Sequence, residues 1–217
     1  MAGSKDAQTV RSLLSRLGRT YAQDAGIDLA DRPAPLYQLL VLANLLSTRI
    51  SSDIAVAAAR ELFAAGYRTP AAMLEASWQD RVDALGRGHY RRYDEGTSTR
   101  LGEGADLLNQ RWRGDLRKLR DEADADPSRT AELLTEFPGI GPAGADIFLR
   151  EVQSTWPGIA PYFDTRALDG AKELELPQDP ARLAALAGSD TDLARLAAAL
   201  VRVSRSKTEA EKIKSAS

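Results

Sequence analysis

The amino-acid sequence predicts an all-α protein. Ala, Leu and Arg dominate its segments, apolar residues recur at spacings of three and four, and alternating β-branched runs are absent. With 217 residues and a hydrophobic fraction of 43%, the chain is long and apolar enough to bury an ordinary core, as one large domain or two lobes.

The elements follow in order. Val10, Leu13, Leu14, Leu17 and Tyr21 share one face of a first amphipathic helix. Asp31 to Pro35 reads as a linker, because two prolines within three residues disfavour helix. LYQLLVLANLLS, Leu36 to Ser47, is apolar almost all round and is expected to be the central buried helix. Ser51, Ser52 and Asp53 offer N-caps for an Ala-rich helix that stops at Gly66. Thr69 with Pro70, and then Ser77, open two more. Arg87 to Asn109 is read as helical despite Gly96, Gly102 and Gly104. The acidic stretch Asp121 to Asp126 is read as a loop, with Ser128 capping a helix to Phe137. A helix from about Pro142 to Gln153, another from Asp164 and Thr165, and an amphipathic one from Asp190 to Val203 complete the set. Residues 204–217 are expected to fray.

Composition narrows the chemistry. The absence of cysteine removes disulfides, thiol nucleophiles and thiolate-bound zinc or iron-sulfur clusters, and a single histidine, His89, disfavours a histidine-rich metal site. The start of the chain lacks an apolar signal core, and the run Leu39 to Leu46 is too short to span a bilayer, so a cytoplasmic protein without membrane contact is expected. The net charge of −2 does not advertise a nucleic-acid partner. Arginines nevertheless outnumber acids between Arg81 and Arg120, and either a basic face or ordinary solvated helix surface explains them.

The most informative segment is LLTEFPGIGPAGADIFLREV, Leu133 to Val152: helix, glycine turn, helix. Gly139 and Gly141 let the backbone turn tightly and approach another chain, while Ile140 plugs the turn into the core. The second helix then starts with free N–H groups and its positive dipole end facing outward, a ready seat for a phosphate oxygen that positions DNA without reading sequence. The plainer alternative is an αα-hairpin whose glycines only turn the chain. About twenty residues on, WPGIAPYFDTRALDG carries Asp164 at a helix start. An N-cap is one reading of that carboxylate, and stabilisation of positive charge on a sugar is another.

These features, FPGIG at Phe137 to Gly141 and FDT at Phe163 to Thr165, resemble the endonuclease III family of helix-hairpin-helix DNA glycosylases. The resemblance extends to Pro35–Phe63 and Ala84–Gly96, and so covers most of residues 35–175. It implies a two-lobed fold, with a six-helix barrel at residues 35–153 containing the helix-hairpin-helix at 128–153, and a second helical lobe built from residues 1–34 and 154–217. It also implies flipping and excision of a damaged or mispaired base in double-stranded DNA by a monomer acting at the nucleoid. Asp164 would stabilise the sugar cation or orient water at the cleft. Gly139, Ile140, Gly141 and Ala143 would hold the DNA backbone, with a monovalent cation at the hairpin as an option and no other cofactor.

Three positions depart from the family pattern. Bifunctional members carry a nucleophilic lysine two residues past the second hairpin glycine; here Ala143 stands there, so a water-using, monofunctional enzyme is expected. Lys172 is a conceivable substitute, although pairing with Glu173 or Glu175 is the plainer reading. The cysteines that bind an iron-sulfur cluster in many relatives are missing. Relatives commonly wedge a glutamine into the DNA where this chain has Arg49, read either as a base-stacking wedge or as a cation at a helix end. His89, Tyr90 and Glu95 are the base-pocket candidates. The competing classes are a non-catalytic DNA-binding hairpin protein and an all-α interaction module without a DNA role.

Overall fold

A computed structural model describes residues 2–216 of the chain, and among them every regular element is helical. Helix α1 is Ala2–Leu17, α2 Tyr21–Asp24, α3 Pro33–Leu46, α4 Ser52–Ala64 and α5 Pro70–Glu75. Next come α6 Trp78–Arg87, α7 Asp94–Trp112, α8 Leu116–Glu122, α9 Pro127–Leu134 and α10 Pro142–Val152. After a 3-10 turn at Pro157–Ile159, α11 is Thr165–Glu173, α12 Pro180–Ala187, α13 Asp190–Ser204 and α14 Lys207–Ser215. No helix among the described residues is long and apolar enough to cross a membrane.

Most starts are set by side-chain caps. Ser51, Thr69, Asp164, Asp179, Ser189 and Ser206 each accept a backbone N–H three residues on, and Ser77 with Asp80 forms a reciprocal capping box. Four expectations are corrected. Residues 88–93 form a turn between α6 and α7, where the sequence suggests helix from Arg87 to Asn109. Pro33 and Pro35 do not make a linker but occupy the first turn of α3, where a proline sacrifices no helical hydrogen bond. Asp126, not Ser128, caps α9, accepting from Arg129 N at 2.7 Å with Pro127 in the first turn, and α8 runs into the acidic stretch expected as loop. The tail is not frayed throughout: α14 forms on the Ser206 cap and buries Ala210 and Ile213.

The chain divides into two units, one made of Met1–Tyr21 with Arg150–Ser217 and the other of Ala22–Leu149. In the terminal unit, Val10 and Leu13 of α1 join Ala167, Leu183, Leu196, Leu200 and Ile213 in one apolar core. Helices α11 and α13 meet backbone to backbone, since a Cβ on Gly170 would lie 2.0 Å from the carbonyl oxygen of Leu200. In the other unit α3 is the hub, with every residue from Pro35 to Leu45 except Gln38 buried. Arg81 is buried there without a carboxylate; it donates instead to the carbonyls of Met73, Ala76 and Ser98, which ties α5, α6 and α7 together.

The contact at Gly170 generates a stability test. Gly170→Ala drives a methyl into the α13 backbone and should lower the unfolding free energy by about 1–3 kcal/mol, the usual cost of overpacking. Gly86→Ala, where a Cβ meets nothing within 4 Å in α6, should instead add roughly 0.5–1 kcal/mol through helix propensity. Chemical denaturation of the two variants beside the parent reads both signs.

Candidate nucleic-acid interface

The turn between α9 and α10 is fixed from below. Asn44, buried on α3, donates from Nδ2 to the carbonyl oxygen of Pro138 at 2.8 Å. Gly139 then takes φ +85°, and a Cβ there would lie 2.7 Å from Asn44 Nδ2 and 2.8 Å from Arg100 Cδ, so conformation and space both demand glycine. Ile140 is 4% exposed and plugs the turn into the core as expected, donating its N–H to Phe137 O at 3.0 Å. Gly141 immediately precedes α10: its carbonyl accepts from Gly144 N at 2.9 Å and Ala145 N at 3.0 Å. None of the turn's backbone hydrogen bonds uses the N–H of Gly139, Gly141 or Ala143, and all three residues are exposed. The turn thus offers outward-facing donors at the positive end of an 11-residue helix.

Beneath the turn lies a cavity of about 20 Å³ bordered by Tyr37, Asn44, Arg100, Phe137, Pro138 and Ile140. The Tyr37 hydroxyl, Asn44 Oδ1 and Arg100 Nε are buried and have no protein partner, and the space suits one water. Burial, only partly opposed by Arg81, holds the Tyr37 hydroxyl in its neutral form. A guanidinium at the edge of this cavity disfavours a cation inside it.

Two loops flank the hairpin. A Cβ on Gly144 would lie 2.5 Å from Ser47 Oγ, so the Ser47–Ser51 loop runs beside the start of α10 and exposes Arg49 there. That loop is held to the turn before α7 by the Tyr90 hydroxyl, which donates to Thr48 Oγ1 at 2.7 Å. Tyr90 itself is 0% exposed, which corrects its expected role: a ring sunk in the core does not stack on an extruded base. Its neighbour His89 is exposed and held at φ +63°, a strained backbone for a non-glycine residue. Glu95 is exposed in the first turn of α7.

The arginine-rich stretch is partly neutralised within the protein. Arg87 pairs with Glu61, Arg111 with Glu122 and Glu136, Arg117 with Asp115, and Arg120 with Asp31 and Asp121. The Asp115 carboxyl is held below its usual range chiefly by the hydrogen bond from Arg117. Arg49, Arg91, Arg92 and Arg100 have no ion pair among the described residues, and Arg100 touches the hairpin at Gly139. No group of three or more His, Asp or Glu side chains that could hold a metal ion occurs among the described residues.

Asp164 belongs to the terminal unit. Its Oδ1 accepts from Ala167 N at 3.0 Å and caps α11, while Oδ2 forms a 2.6 Å ion pair with Arg150 Nη1. The two side chains are 4% and 2% exposed. Gln153, one turn on from Arg150, exchanges hydrogen bonds with the backbone of Tyr162, so the end of α10 fixes the segment leading to Asp164. Lys172 is exposed on α11, and Glu175 pairs with Lys5. Arg150 and Gln153 were not among the sequence candidates; an arginine inside the apolar run IFLREV was their available signal.

Together these define an all-α protein with an exposed glycine hairpin packed on its central helix. No family model matches the chain, and no curated protein matches it. Among solved structures, a trapped endonuclease III–DNA covalent intermediate with an estranged adenine is similar at a TM-score of 0.49 and 17% identity, over 93% of this chain and 85% of that one.

The Arg150–Asp164 pair carries a prediction. Asp164→Asn keeps the cap but strands a buried guanidinium, which should cost about 3–5 kcal/mol. Arg150→Met added to Asp164→Asn should recover most of that loss. Equilibrium unfolding of the single and double variants measures the coupling.

Proposed function

We propose that this protein binds double-stranded DNA through the Gly139–Ala143 hairpin and acts as a monofunctional base-excision glycosylase. The observation that carries the DNA reading is the hairpin itself: exposed donors at a helix start, on a turn that Asn44, Gly139 and Ile140 leave no freedom to collapse. The unpaired arginines at 49, 91, 92 and 100, carried by the same unit, support it with local positive charge on a nearly neutral chain.

In this reading water, not an amine, adds to the anomeric carbon of the sugar as the bond to the base breaks, because Ala143 stands where a lysine would attack. The products are a free base and an intact abasic site. Asp164 would stabilise the sugar cation once Arg150 moves off Oδ2, and Arg49 would fill the gap left by the extruded base. A second reading, a non-catalytic DNA-binding hairpin protein, is favoured by one observation: both Asp164 oxygens are already engaged and its side chain is 4% exposed.

Two measurements test these readings. Gly141→Asp is sterically free, since a Cβ meets nothing within 4 Å, and aspartate caps a helix well, so the variant should fold. Its charge should nonetheless lower duplex affinity about tenfold or more for every sequence alike; unchanged affinity would remove the hairpin from the interface. On duplexes carrying uracil, mismatched, alkylated or oxidised bases, the parent should leave an alkali-labile abasic site on its preferred lesion, and borohydride should trap no adduct. Excision of none of them by a protein that binds all of them would select the non-catalytic reading.

A further inference from the structure

Next to the hairpin, at the start of α7, lies an open pocket of about 400 Å³ lined by Arg91, Arg92, Tyr93, Asp94, Glu95 and Arg100. That volume falls in the range of small-molecule sites and suits one nucleotide. Its charges are mixed yet uncombined. None of the three arginines forms an ion pair with Asp94, Glu95 or any other described residue, although both carboxylates line the same pocket. Asp94 accepts from the adjacent Glu95 N at 2.9 Å, whereas the exposed Glu95 carboxylate has no partner among the described residues. Arg92 lies over the Tyr93 ring at 5.2 Å, presenting a flat guanidinium face. Arg100 is steadied by Thr97 Oγ1 at 2.8 Å and packs where a Cβ on Gly139 would be, so one side chain borders both pocket and hairpin.

A simple anion fits this arrangement poorly, because two carboxylates oppose it. A ligand that joins a phosphate to hydrogen-bond donors fits both halves. We infer that the pocket is a nucleotide subsite, in which Arg91, Arg92 and Arg100 hold a phosphate while the Glu95 carboxylate accepts from the base edge. Guanine is the base that suits one carboxylate best, since its N1–H and N2 amino group point the same way and can meet both oxygens. The base would stack on the Arg92 plane. This inference rests on the DNA reading of the hairpin and adds a recognition site carried wholly by the Ala22–Leu149 unit.

The test is a titration of the full-length, isotope-labelled protein, followed by amide NMR, with 5′-dGMP, 5′-dTMP, deoxyguanosine and inorganic phosphate. Deoxyguanylate should shift amides of residues 91–100 and bind at least fivefold tighter than phosphate, deoxyguanosine or dTMP. Arg91→Ala with Arg92→Ala should weaken it about tenfold, and Glu95→Gln should abolish the preference for dGMP over dTMP. These side chains are exposed and unpaired, so the variants should fold. Phosphate binding as tightly as dGMP, or dGMP leaving residues 91–100 unmoved, overturns the inference. Gly141→Asp separates the two claims: it should lose duplex DNA yet keep dGMP. A parent protein that takes dGMP but no duplex would instead overturn the hairpin reading alone.

Discussion

The hydrogen bond from Asn44 to the Pro138 carbonyl is the constraint on which the candidate interface depends. Asn44 is a buried polar side chain on a mostly apolar helix, where an amide donor without a partner costs on the order of 1–3 kcal/mol. That cost orients the turn. Because the amide must find an oxygen, Pro138 is drawn to one place on α3, Gly139 must pass over Asn44 with no side chain, and Ile140 drops into the core behind it. The exposed N–H groups of Gly141 and Ala143 follow from that anchoring and not from the glycines alone.

The helices were legible because their signals are local. Caps and apolar spacing act within one turn, so Ser51, Thr69, Ser77 and Asp164 announced their helices directly. Misreadings arose where one residue type serves two local roles. Proline both breaks a helix and starts one, which hid the first turn of α3. An acidic run can be a loop or the end of one helix and the cap of the next, which hid Asp126. The tail looked too polar to hold, yet two apolar residues at 210 and 213 were enough to dock it.

The site was legible only in part. Glycines that turn a chain between two helices can be read from sequence: Gly139 takes the positive φ and Ile140 the buried seat that the sequence suggests, whereas Gly141 has neither a positive φ nor a crowded Cβ and the turn does not require glycine there. Tyr90 could not be placed, because the same aromatic chemistry serves a pocket wall or a core ring with one polar atom satisfied, here by Thr48. The arginine-rich run misled for a similar reason: long-range partners such as Asp31 for Arg120 and Glu61 for Arg87 consume charge that composition counts as free. Among the described residues Arg91, Arg92, Arg100, Arg113 and Lys118 of that run form no ion pair, and the first three lie together beside the hairpin. A nearly neutral protein therefore carries a local positive field that acts over roughly a Debye length, about 8–10 Å in ordinary salt.

On the glycosylase reading proposed above, positions 143 and 164 bear most directly on the chemistry. Ala143 offers a methyl group and no amine, so that side chain cannot attack a sugar covalently. At 164 the carboxylate persists, but a guanidinium 2.6 Å away compensates its charge and seals it from water. A paired carboxylate stabilises a neighbouring sugar cation far less than a lone one, since the cation must compete with Arg150 for the same oxygen. If the protein excises a base as proposed, the pair would have to open, and opening a buried pair is costly unless the incoming cation takes the place of the guanidinium. DNA positioning makes no such demand, because the hairpin donors are already exposed.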